Sequence, residues 1–230
     1  MAKKHLSRLN APKCWPIKKK QSKWITRPNP GPHPLKRGIP LSILIKDILK
    51  YAETTKQVKK ILGNKEILID KKARKDCKFP IGLMDTIEIP KTKGYYRIIL
   101  NKNNKLIVTP IKKEEIEIKP CKIIGKKILK NKKTQLNLFD GRNILIDNDN
   151  YKVGDTIILN LSNNKIESHL KLEKDSKVYL MSGNHVGKIA IVSEFKKDSK
   201  NLTLDCNKQE IKTAKNYAFV IGDILKEYEK

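Results

Sequence analysis

Acidic residues are scarce in this chain. Only 24 Asp and Glu stand against 51 Lys and Arg, and none lies within residues 1–40. Arginine is scarce too, confined to Arg8, Arg27, Arg37, Arg74, Arg97 and Arg142. Seven Tyr, four Phe and two Trp exclude a broad platform on which successive single-stranded bases stack. The four cysteines, Cys14, Cys77, Cys121 and Cys206, form no CxxC pair. Their spacing excludes a disulfide framework and a zinc site, and they read as reduced, packed thiols of a cytosolic protein. No apolar run approaches the roughly 18 residues of a membrane helix, and the N-terminus lacks the apolar stretch of a signal peptide. The histidines, His5, His33, His169 and His185, stand apart in sequence. No GxSxG turn, Cys/His pair or carboxylate cluster accompanies them. A catalytic constellation is therefore not expected, and no metal, cofactor or small-molecule substrate is implied.

What is abundant is positive charge. The formal net charge is +27 over 230 residues. Such a chain repels itself when compact unless a polyanion neutralises it, and the excess runs through several segments, which favours nucleic acid. The length suits two or three small domains better than one.

Residues 1–40 hold seven of the eleven prolines, including RPNPGPHP at Arg27–Pro34. Such a segment cannot bury a core of its own and should be extended and largely disordered alone. It carries Lys3, Lys4, Arg8, Lys18, Lys19, Lys20, Lys23, Arg27, Lys36 and Arg37 as candidate RNA contacts. Trp15 and Trp24 sit among these cations. Packing on the folded body and stacking on bases are both open to them.

The stripe Leu41, Leu44, Ile45, Ile48, Leu49 and Ala52 predicts a helix after Gly38-Ile39-Pro40. A second helix begins at Thr54 or Thr55, buries Val58, Ile61 and Leu62, and ends at Gly63, which supplies a left-handed residue. Its Lys56, Lys59 and Lys60 fall on another face. EILI and TIEI are strands, with Asp70-Lys71-Lys72 as a turn. Two helices followed by a short sheet, with Pro80, Gly82 and Asp85 in place, resemble the small RNA-binding module of bacterial ribosomal protein S-four, tyrosyl-tRNA synthetases and pseudouridine synthases. Lys71 replaces the usual turn glycine, and Leu83-Met84 lengthens the later turn. The resemblance implies RNA contacts at Lys56, Lys59, Lys60, Lys71, Lys72 and Arg74.

Residues 91–172 alternate short strands with turns, which predicts a small antiparallel barrel or half-barrel. The turns are NKNN at 101–104 and Asp140-Gly141, the latter suited to type I′. GKKILKNKK, Gly125–Lys133, is a basic connection. Further on, GNHVGK at Gly183–Lys188 raises the possibility of a phosphate loop. Only three residues separate its glycines, Ile189 follows the lysine, and the next segment is a strand, so that reading fails. The apolar strand, glycine turn and apolar strand instead resemble a KOW motif, an SH3-like barrel. There the glycines would let the backbone approach RNA phosphate, with Asn184, His185 and Lys188 flanking Gly183 and Gly187.

The expected class is α+β and multidomain. It comprises a basic arm (1–40), an S-four-type module (41–90), a central β domain (91–172), a KOW domain (173–219) and a tail (220–230). That order, with MAKKHLSRLNAPKCWPI, PGPHPLKRGIPL and SGNHVGKIAIV, resembles the archaeal and eukaryotic small-subunit ribosomal proteins of the S-four-e family. The length favours an archaeal member. The resemblance implies a non-catalytic structural protein of the cytoplasmic ribosome, with small-subunit rRNA and neighbouring ribosomal proteins as partners and no membrane. The alternative is a KOW-bearing transcription or RNA-processing factor that acts transiently.

Overall fold

A computed structural model describes residues 5–129, 133–147, 150–195, 200–206, 209–222 and 224. Lys3, Lys4 and nearly all of the 220–230 tail beyond Gly222 lie outside them. The chain is mostly β-sheet and divides into two compact units. One holds residues 1–99 and 105–119, the other residues 100–104 and 120–230.

In the first unit the arm does not stand free. Leu6–Ser7 pairs antiparallel with Trp24–Ile25, and Gly38–Pro40 pairs with Pro80–Gly82. Leu6, Ala11, Cys14 and Trp15 are buried. The Trp15 Nε1–H donates to the Gly38 carbonyl at 2.8 Å. The prolines that bar a helix do not bar a few apolar anchors, and a large one such as Leu6 gains roughly 1.5–3 kcal/mol on full burial. Burial also pushes the Cys14 thiol up to about 11, as an inert packed thiol requires.

The first expected helix is shorter than its apolar stripe. It runs from Leu41 to Ile48, and its second half widens into five-residue turns, with Leu49 N–H donating to the Leu44 carbonyl at 2.9 Å. The second helix, Thr55–Gly63, starts at a reciprocal cap. The Thr54 hydroxyl accepts from Gln57 N–H, and the Gln57 side chain accepts from Thr54 N–H, which satisfies two otherwise orphaned donors. It does not end on a left-handed glycine. Gly63 stays helical, and the left-handed residue is Lys65 (φ 56°), whose N–H reaches the Leu62 carbonyl. A five-stranded sheet follows in the order Lys72–Ala73, Leu68–Ile69, Thr86–Ile89, Gly94–Leu100, Leu106–Pro110. The turn into its edge places both Asp70 (φ 49°) and Lys71 (φ 61°) in the left-handed region, without a glycine.

Two further five-stranded antiparallel sheets are formed almost wholly from residues of the second unit. One runs Asn143–Ile146, Thr134–Leu138, Ile118–Ile128, Thr156–Asn160, Ile166–Leu170. Its core is Cys121, Ile123, Leu136, Leu138, Ile157 and Leu159. The Gly125–Ile128 part of the supposed basic connection is strand here, and Lys130–Lys132 lies outside the described residues. The Asp140-Gly141 turn is not type I′, because only Gly141 (φ 76°) has a positive φ; Asp140 instead caps Arg142 N–H with its carboxylate.

The other sheet runs Gln209–Ala214, Asn201–Cys206, Ile189–Glu194, Lys177–Leu180, Ala218–Val220. Alternation decides which way it faces: Leu202, Leu204 and Cys206 point inward while Asn201 and Asp205 are exposed. They meet Val178, Leu180, Val192 and Val220 in one cluster. Gln209–Ala214 is a strand that periodicity did not announce, because only Ile211 among its residues is apolar and buried.

Candidate nucleic-acid interface

The helix Thr55–Gly63 presents the clearest basic face. Val58 and Leu62 are buried, while Lys56, Lys59 and Lys60 are exposed. Spacings of three and four residues put these lysines side by side. No ion pair engages them among the described residues, and Lys72 is likewise exposed. Two other residues expected at this surface are engaged within the protein. Lys71 is half-buried and pairs with Glu88 at 3.1 Å and Glu117 at 3.7 Å. The Arg74 guanidinium lies 4.4 Å from the centroid of the Phe79 ring.

In the arm, Lys18, Lys20, Lys23, Lys36 and Arg37 are exposed, and Arg27 is half-buried. Lys19 is exposed but donates to the Ala11 carbonyl at 3.0 Å. Arg8 corrects the sequence expectation. It is 5% exposed, and its guanidinium donates to the Ser22 carbonyl, the Lys18 carbonyl and the Ser22 hydroxyl. A planar fork with five donors suits that role, so Arg8 folds the arm rather than offering charge outward.

At the glycine turn, Gly183 (φ 91°) and Asn184 are exposed, while His185, Gly187 and Lys188 are half-buried. The close approach that Gly187 (φ 77°) permits is to the chain itself. A Cβ there would sit 2.5 Å from the Asn101 carbonyl carbon and 2.8 Å from Lys102 N. Gly187 N–H also donates to the Leu180 carbonyl at 2.8 Å, closing the hairpin. At Gly183 an added Cβ would meet only the Tyr217 ring, at 3.4 Å.

Two groups escaped the sequence. Lys119, 1% exposed, places its ammonium 2.6 Å from both Asp70 and Asp85. Asp85 also accepts from Gly82 N–H and contacts His33 Nε2 at 2.9 Å. Burial pushes the Asp85 carboxyl up, but the His33 and Lys119 charges and hydrogen bonds outweigh it and hold the group well below the usual carboxylate range. Asp70 also accepts from the Thr86 N–H and hydroxyl, so it is more than a turn residue. His33 and His169 are not isolated: the second contacts Asp155 at 2.8 Å. In the second unit, buried Lys122 gives its ammonium to the carbonyls of Lys215, Asn216 and Ala218. The only hint was the position of Lys119 and Lys122 in an otherwise apolar strand, IKPCKII. Nothing in the sequence pointed to His33.

Among the described residues no group of three or more His, Cys, Asp or Glu could hold a metal ion. No helix of theirs is long and apolar enough to cross a membrane.

A family model described as Ribosomal family S4e matches residues 92–166, and one described as the RS4NT (NUC023) domain matches residues 2–36. The chain is 40% identical over 226 residues to small ribosomal subunit protein eS4 of Archaeoglobus fulgidus, covering 96% of this chain and 94% of that one. It is 38% identical over 231 residues to the eS4 of Methanothermobacter thermautotrophicus, covering 96% and 93%. The crystal structure of 30S ribosomal protein S4e from Thermoplasma acidophilum superposes with a TM-score of 0.70 at 29% identity, over 81% of this chain and 95% of that one. Full-length identity, the arm and the β-rich fold agree: this chain belongs to the S4e family of small-subunit ribosomal proteins.

Proposed function

We propose that this chain is a structural constituent of the small ribosomal subunit that binds and stabilises small-subunit rRNA, and that it catalyses nothing. The observation that carries the reading is the exposed lysine face of Lys56, Lys59 and Lys60 in a chain whose arm is free of acidic residues. Lysines neutralise phosphates and release condensed counterions, so affinity should be electrostatic and steeply salt-dependent. The two His–Asp contacts, buried at His33 and half-buried at His169, are read as stabilising the fold. In this reading the 41–90 segment and the 173–219 segment are two RNA-facing modules, Asn184 and Lys188 contact phosphate, and neighbouring ribosomal proteins complete the surroundings in the cytoplasmic ribosome.

The test is RNA affinity against salt. Changing Lys56, Lys59 and Lys60 together to Gln should leave the melting temperature nearly unchanged. It should make log K against log salt shallower by roughly 0.7–0.9 per lost phosphate contact. An unchanged slope would remove this face from the interface.

A further inference from the structure

The arm and the helices of the first unit enclose a cleft of about 240 Å³. That is smaller than the roughly 300–1,000 Å³ pockets of drug-sized ligands, and it is suited to one flat ring. Its wall is mainly polar, with Ser22, Thr26, Ser42, Asp47 and Thr55 beside Trp24. Three features of the cleft suit a ligand. Trp24 keeps 55% of its surface exposed, against 2% for Trp15. Lys23 holds its ammonium over the Trp24 ring, 5.3 Å from its centroid, and the His5 ring tilts against it at 5.6 Å, so a base would meet the part of the indole these two leave exposed. Ser42 is 5% exposed, and its buried hydroxyl has no hydrogen-bond partner among the protein atoms.

The geometry points to a site in this cleft for one unpaired RNA base that carries an exocyclic amino group. This rests on the RNA-binding reading above and adds a base-specific contact to it. An unpaired base offers a face for Trp24 and an edge for hydrogen bonds, which paired bases in A-form RNA withhold. The Asp47 carboxylate can only accept; its ion pair with Lys46 is long, at 3.9 Å, and leaves lone pairs to accept a hydrogen bond from an amino N–H. Cytosine, adenine and guanine have that donor. Uracil presents its single N–H between two carbonyl oxygens that a carboxylate repels. The hydroxyls donate or accept as the base requires. Lys46 in the cleft wall and Lys23 over the Trp24 ring supply positive charge for the flanking phosphates.

The test uses the full-length protein with labelled oligocytidine, oligouridine and a fully paired RNA hairpin, read by fluorescence anisotropy at low salt. The unmodified protein should prefer oligocytidine to oligouridine. Trp24→Leu should weaken oligocytidine binding roughly 5- to 150-fold, the range for a lost stacked base, and change hairpin binding by less than about twofold. Asp47→Asn should erase the preference for oligocytidine; should Trp24→Leu not fold, this variant decides alone. Equal affinity for the two oligonucleotides, or equal losses on oligocytidine and the hairpin, overturns the base site and leaves the phosphate-binding reading standing. Failure of the unmodified protein to bind any of the three RNAs overturns both.

Discussion

Gly187 shows how one residue can carry a constraint that its motif does not name. Its φ of 77° and the Asn101 carbonyl carbon 2.5 Å from where a Cβ would stand make it a packing residue of the second unit. Gly187→Val should destabilise the protein by roughly 2–5 kcal/mol, combining left-handed strain with an overpacked contact. Gly183→Val, facing the Tyr217 ring at an ordinary 3.4 Å, should cost about 1–2 kcal/mol from strain alone. Urea unfolding of both variants checks the order. Equal losses would show that the Asn101 contact gives way easily.

At the scale of elements, strands with clear alternation were legible, including Leu202–Leu204–Cys206 and the runs flanking the glycine turn. The second helix was legible through its cap at Thr54 and the spacing of Val58 and Leu62. Boundaries were less so: the apolar stripe through Ala52 did not foresee the widened turn at Leu44–Ile48. The helix stop fell on Lys65 because tertiary contacts can hold a lysine in a conformation that glycine adopts more cheaply. Of the candidate interface, the exposure of the lysine face of Thr55–Gly63 was readable, whereas the inward turn of Arg8 was not. Charge composition says nothing about whether a guanidinium turns inward to carbonyls. Lys122 is the same lesson inside a strand. Its three donors meet the three carbonyls of the Lys215–Ala218 turn. Lys122→Met should therefore strand buried acceptors and lower stability by about 2–4 kcal/mol. Thermal unfolding reads this out, and a loss below about 1 kcal/mol would mean that water replaces the ammonium.

At the scale of the whole molecule, a chain with a large excess of cations also uses one of them inside, as the counter-charge to two buried carboxylates. Lys119, Asp70, Asp85 and His33 come from distant parts of the chain and meet in the first unit. Because the Asp85 carboxyl is held below its ordinary value of 3.8, its contribution is complete above that pH. It is lost as pH falls through the ordinary value toward the depressed one. Stability should therefore drop on acidification below about pH 4. Lys119→Met, which leaves two buried carboxylates without their shared cation, should cost roughly 3–5 kcal/mol at neutral pH. It should also flatten the acid limb, measured by urea unfolding across pH; an acid limb as steep as that of the unmodified protein would show that Lys119 does not set it. Lys119 is also the last residue of the first unit. A chain made from its N-terminus therefore exposes the arm and both aspartates before their counter-cation exists. A nascent fragment ending at Glu117 should remain protease-sensitive throughout, and protection of the arm should arrive only once residue 119 has cleared the exit tunnel. The timing of translation, not the arm's own composition, then decides when this protein stops being a loose polycation.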